Sequence, residues 1–137
     1  MSEIYQITLR KDLELFDGRI TLEEAEAKDG NSLCKVMLSF SDKKAFGEGE
    51  DFFDALIALR QTLEREGIFL LIYGASRNVW PSSMSRNMGA GTQAYRMEKG
   101  RQALRDDLVN IFETGPDIDP CTIAEQEKYK DEWLVSL

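Results

Sequence analysis

The sequence predicts an α+β domain: a largely antiparallel sheet with one core helix packed on it and a C-terminal helix. Three observations predict it. Alternation runs through Tyr5, Ile7 and Leu9, and again through Cys34, Val36, Leu38 and Phe40, which is the period of half-buried strands. Phe52, Leu56, Leu59 and Leu63 then repeat at helical spacing. No strand–helix–strand alternation recurs, which argues against a doubly wound sheet. The 137 residues suit one domain, 1–137, with a real core.

The first strand is centred on Tyr5 to Leu9, with Leu13, Leu15 and Phe16 after it. Asp17-Gly18 is a hairpin turn signal, so Arg19 to Ala27 reads as the returning strand. Lys28-Asp29-Gly30-Asn31 forms the next turn. Leu33 to Phe40 is the third strand, with Leu33, Lys35, Met37 and Ser39 on the face opposite Cys34. Ser41-Asp42-Lys43 turns into a short strand through Ala45, Phe46 and Glu48.

Asp51 to Glu66 is the clearest helix, with Phe53 and Ile57 widening its apolar stripe. Glu50, Asp51 and Asp54 suit its N-terminal dipole, and Gly67 suits its end. Ile68 to Tyr73 is apolar enough to be a strand buried on both faces. The long Gly-, Ser- and Asn-rich stretch Gly74–Thr92 reads as an ordered loop, packed by Trp80, Met84 and Met88. Thr92 to Glu98 and Leu108 to Glu113 read as strands, with Arg101 to Asp107 open to a helical reading. Gly115 to Pro120 is a linker. Thr122 and Glu125 have capping-box spacing, and the closing helix would align Tyr129, Trp133 and Leu137.

Composition narrows the chemistry. Hydrophobic residues at 42% and charged residues at 31% are ordinary for a soluble globular protein. The net charge of −8 argues against nucleic-acid binding, which needs a basic footprint. No apolar run reaches membrane-spanning length, and the N-terminus predicts no signal peptide. Two distant cysteines predict no disulfide framework, so a reduced, cytoplasmic setting is expected. There is no histidine, which removes Ser-His-Asp and Cys-His nucleophile systems and the usual zinc ligand sets. No cofactor, metal or catalytic residue is predicted.

Charge is unevenly placed. Ser76 to Arg105 holds Arg77, Arg86, Arg96, Lys99, Arg101 and Arg105 against one acid, Glu98, for a formal charge of +5. The remaining 11 cations face 24 acids, a balance of −13. Arg77 and Arg86 flank Pro81-Ser82-Ser83, and their guanidinium groups could hold a carboxylate or phosphate; Arg96 follows on the next strand. The competing account is that each arginine pairs with the protein's own acids. Gly89-Ala90-Gly91-Thr92 could cradle an anion, but it lacks P-loop and dinucleotide spacing, and shaping a turn is the simpler reading. Trp80 suits a partner surface or the loop's own packing. Asn78, Ser82, Ser83 and Asn87 complete the candidate set of polar contacts. The acidic groups Glu23/Glu24/Glu26 and Glu48/Glu50/Asp51/Asp54 read as solvated faces.

The run Gly74-Ala-Ser-Arg-Asn-Val-Trp-Pro-Ser-Ser-Met-Ser-Arg-Asn-Met-Gly-Ala-Gly-Thr-Gln-Ala-Tyr95 resembles small uncharacterised bacterial proteins grouped with the immunity proteins of toxin systems. The similarity covers about residues 52–112. It implies a non-enzymatic partner-binding role centred on this loop, and it brings no catalytic residues. Two functional expectations follow. One is a bacterial interaction protein, an immunity-type inhibitor of a basic partner, steered by its acidic surface. The other is a binder of, or enzyme acting on, a small anionic ligand at the 76–105 segment. The first predicts a flat or convex acidic face, and the second a concave pocket lined by the loop. The oligomeric state is not legible.

Overall fold

The computed structural model describes residues 3–26, 30–88 and 90–137, and of Met88 only the backbone. Strand β1 (Glu3–Lys11) turns at Asp12 and Leu13 into β2 (Glu14–Glu26), with Lys11 opposite Glu14. Asp12 takes the left-handed conformation at φ +56° that a two-residue hairpin demands. The expected turn at Asp17-Gly18 is therefore corrected: both residues lie inside β2, and Gly18 faces Ile7. Packing explains this glycine. A Cβ there would run into the Leu9 side chain and stand 3.2 Å from Leu38 Cδ1.

β3 (Ser32–Phe40) and β4 (Lys43–Gly49) complete the meander through a Ser41–Asp42 turn with two positive φ values. Cys34, Val36, Leu38 and Phe40 are buried, as their alternation predicts. The Lys28 and Asp29 part of the preceding turn, with Ala27, lies outside the described residues.

Helix α1 (Phe52–Arg65) starts at Asp51, whose carboxylate accepts the Asp54 amide at 2.7 Å, and is followed by Gly67 at φ +73°. Phe52, Phe53, Leu56, Leu59 and Leu63 are all buried. The helix lies directly on β4. A Cβ on Gly47 would collide with the Ala55 carbonyl and sit 2.5 Å from the Leu59 amide nitrogen.

The apolar run after α1 yields only a short strand, β5 (Ile68–Leu70), antiparallel to β1. The chain then leaves the sheet. Tyr73 and Gly74 donate their amides to Glu113 and Ile111 at 2.8 Å, within a 3₁₀ turn at Tyr73–Ala75. The result is a curled, wholly antiparallel sheet ordered β4-β3-β2-β1-β5.

The segment expected as a loop carries structure of its own: β6 (Val79–Trp80) and α2 (Ser83–Met88). β6 joins β7 (Gln93–Arg96) and β8 (Leu108–Asn110) in a second, three-stranded sheet ordered β6-β7-β8. The helical reading of 101–107 shrinks to a 3₁₀ turn at Arg105–Asp107. Helix α3 (Ile123–Ser136) begins with the expected Thr122–Glu125 capping box. Tyr129 and Trp133 face the body of the protein, but Leu137 is 59% exposed and does not join them.

The glycine seat makes a stability test. Gly47→Ala forces a backbone collision, and overpacking of this kind costs about 1–3 kcal/mol. Leu56→Ala should cost about 2–5 kcal/mol, because Leu56 is fully buried. Urea titration measures both. Unchanged midpoints would mean that α1 does not rest on β4 through this face.

Candidate functional site

The fold separates the arginines of the basic stretch and gives most of them internal partners. Arg77 binds Asp119 at 3.0 Å and Glu125 at 3.1 Å. Arg86 binds Asp51 at 3.0 Å and Asp54 at 2.5 Å. Arg96 reaches Asp117 at 3.3 Å and the Asp106 carbonyl at 2.8 Å. Lys99 pairs with Glu132, and Arg101 with Glu98 and Asp107. Arg105 is exposed and forms no ion pair among the described residues. The +5 of the sequence segment is thus spread through space among acids, most of them from other segments.

The other candidates sit as follows. The Asn78 side chain accepts the Ser76 hydroxyl at 2.6 Å, and its carbonyl accepts the Met97 amide. Trp80 packs edge-on against Phe53 at 5.0 Å, beneath the Lys130 ammonium. Ser82 caps α2 by accepting the Ser85 amide, while Ser83 is exposed on the first turn. Gly91, at φ +76°, turns the chain against Asp51, and the neighbouring Ala90 carbonyl accepts the Phe52 amide. Gly89 and the Met88 side chain lie outside the described residues. Met84 is 70% exposed, so its expected part in packing the loop is corrected.

A cleft of about 520 Å³ brings Arg86 and Asn87 together with residues far away in sequence. Its walls are Glu24, Ser32 and Cys34 from the sheet, Glu50, Asp51 and Asp54 from the start of α1, and Ala90 from the turn. Strand register builds it: Glu24 pairs with Cys34, and Cys34 with Gly49. Two acidic runs that look independent in the sequence meet here. Four carboxylates then share the cleft with one guanidinium, whose Cζ lies 5.2 Å from the Phe53 ring centre. Asp51 both caps α1 and holds Arg86; Glu24 and Glu50 carry no ion pair among the described residues. The cleft is concave and loop-lined, as a ligand site would be, yet its charge is acidic.

Cys34, in its wall, is buried, and its thiol is pushed up to about 11 by that burial first and then by the Glu24 and Asp51 carboxylates. Such a thiol is protonated near neutrality and is a poor nucleophile. No group of three or more His, Cys, Asp or Glu residues among those described has metal-binding geometry.

A second cleft of about 350 Å³ gathers Asn78, Arg96, Arg101, Asp107 and Asp117. Tyr73 donates its hydroxyl to Asp117 at 2.7 Å, and that bond, then Arg96, holds the Asp117 carboxyl below its ordinary range. The Arg96 Nε is buried without a hydrogen-bond partner among the described residues. Arg77 stands apart from both clefts, over the start of α3.

Sequence reasoning missed the polar centre of the fold. Arg60 is 3% exposed, and it donates to the Cys121 carbonyl at 3.0 Å, the Gly74 carbonyl at 3.3 Å and the Gln126 side-chain oxygen. Gln126, fully buried, donates in turn to the carbonyls of Gly74, Ser76 and Val79. One signal was readable: Arg60 falls in the apolar row Phe53, Leu56, Arg60, Leu63, where a cation has no business unless it is paired.

Comparison with protein-family models and with curated proteins returns no match for this chain. No helix among the described residues is long and apolar enough to cross a membrane.

Two measurements check this geometry. Gln126→Leu strands buried carbonyls and the Arg60 guanidinium, so stability should fall by about 1–3 kcal/mol or more. Both thiols are raised from 9.0 to about 11, Cys121 again by burial first. That rise lowers the thiolate fraction near pH 8 about 100-fold. Alkylation of the native protein should therefore be slow, and should speed up sharply in denaturant.

Proposed function

We propose that this protein is a non-enzymatic binding protein, an immunity-type inhibitor acting in the bacterial cytoplasm, whose acidic cleft receives a basic side chain of a protein partner. The observation that carries the reading is the cleft's own content. Asp51 and Asp54 grip Arg86 with charge-assisted hydrogen bonds, while Glu24 and Glu50, in the same cleft, form no ion pair among the described residues. The walls thus already recognise one guanidinium, and surplus negative charge is left for a second cation. The net charge of −8 steers a basic partner toward the molecule, and opposite charge raises association rates most at low salt. The absence of histidine and the raised pKa of Cys34 support a role in binding rather than catalysis.

The second reading, a small anionic ligand, is favoured by one observation: the buried Nε of Arg96 in the smaller cleft, without a hydrogen-bond partner among the described residues. Against it stand Glu98, Asp107 and Asp117, which already counter the charges of Arg96 and Arg101.

Titration calorimetry with a short Arg- and Lys-rich peptide separates the readings. Binding is expected at low ionic strength and should weaken as salt screens it. Glu24→Gln with Glu50→Gln should weaken it about tenfold or more, a loss of about 1.4 kcal/mol. Glu14→Gln, at the opposite end of β2, should leave it unchanged. No heat with the peptide, together with a melting shift on adding inorganic phosphate that Arg96→Ala abolishes, would transfer the function to the smaller cleft.

A further inference from the structure

Helix α1 covers one face of the five-stranded sheet, and the outward face has its own order. Register places Ile4, Thr21, Met37 and Phe46 in one row across β1, β2, β3 and β4. Ile4 is 58% exposed and Phe46 48%. On one side of this row lies Glu23–Lys35–Glu48; on the other lies Gln6–Arg19–Ser39–Lys44. Glu23, Glu48, Arg19 and Lys44 are exposed, and none forms an ion pair among the described residues. A largely apolar row, with Lys35 Nζ 4.6 Å from the Phe46 ring centre, therefore runs between an acid-bearing row and a basic row.

This pattern complements itself. We infer that the outward sheet face packs on the same face of a second copy of this chain, about a two-fold axis lying along the Ile4–Phe46 row. Such a rotation reverses the strand direction and preserves the order of strands. Phe46 then meets Phe46 of the second copy, Glu48 meets its Lys44, and Glu23 meets its Arg19. A two-fold axis along β3 would instead set Glu23 against Glu48 and Lys35 against Lys35, a less favourable pairing of charges. The result is an isologous sheet-on-sheet dimer with a hydrophobic centre and a charged rim. At about 4.8 Å per strand and about 3.3 Å per residue, four strands by seven residues give a face of roughly 450 Å² in plan. That is below the ~800 Å² per partner of standard interfaces, so the dimer is expected to dissociate in the micromolar range. The interface lies on the face opposite α1 and leaves Glu24 and Glu50 of the cleft free.

Sedimentation velocity across about 1 μM to 1 mM tests it, with circular dichroism confirming that each variant is folded. The wild type, 15.6 kDa as a monomer, should shift reversibly to twice that mass. Lys44→Glu alone, and Glu48→Lys alone, should each weaken association about tenfold or more. The double swap Lys44→Glu with Glu48→Lys should restore it, as should mixing the two single variants, because each then meets its opposite. A wild type that stays monomeric to 1 mM overturns the inference. So does a single reversal with unchanged association, or a folded double swap that does not recover. Glu24→Gln should dimerise normally, so a failure of the cleft reading leaves this result distinct.

Discussion

The buried guanidinium of Arg60 is the constraint on which the rest of the structure depends. A cation in a protein interior is tolerated only with its donors satisfied. Arg60 meets that demand with the carbonyls of Gly74 and Cys121 and the side-chain oxygen of Gln126; Glu64, one turn on, supplies a more distant carboxylate at 4.0 Å. Those partners come from the 3₁₀ turn after β5, the linker before α3, and α3 itself. One side chain on the core helix therefore ties down three segments at once. Gln126 extends the node to Ser76 and Val79, and so to β6. This explains why α3 docks through a polar residue while Leu134, Val135 and Leu137 stay exposed.

What was legible in the sequence tracks what is local. The α1 stripe, the β3 alternation and the α3 capping box depend on neighbours a few positions away, and each formed where its spacing placed it. Asp17-Gly18 misled because its glycine answers a tertiary demand. The Leu9 side chain needs the space above Gly18, so the turn moves to Asp12 and Leu13, where nothing apolar constrains it. The length of the Ile68–Tyr73 strand was misread for the same reason. Leu71 still bonds Thr8 of β1, but Tyr73 and the following Gly74 turn to Glu113 and Ile111, a choice that no local pattern encodes.

The basic stretch shows why a charge count along the chain is a poor guide to a charge map in space. Arg77, Arg86 and Arg96 are near one another in sequence, yet they serve α3, α1 and the Asp117 segment respectively. Exposed pairs of this kind contribute little stability each. Their effect is to tie the second sheet and α2 to the helices at several points. The acids show the converse. Glu24 and Glu50 read as parts of two solvated faces, and antiparallel register brings them to one cleft.

That register also divides neighbouring residues between two surfaces. Glu23 and Glu24 are adjacent in the chain, but side chains alternate along a strand. Glu24 turns toward the cleft beside Cys34, and Glu23 turns outward beside Lys35. A slip of one residue in β2 would exchange them, and would also carry Ile20 and Leu22 out of the core. The cost of exposing two such side chains, about 1.5–3 kcal/mol each, forbids the slip. Hydrophobic alternation thus sets the charge pattern of both faces, although it involves none of the charged groups. Gly18 and Gly47 reinforce it, since each accepts a close neighbour at one register only. The packing that makes this sheet stable is what gives it one acidic cleft and one self-complementary face.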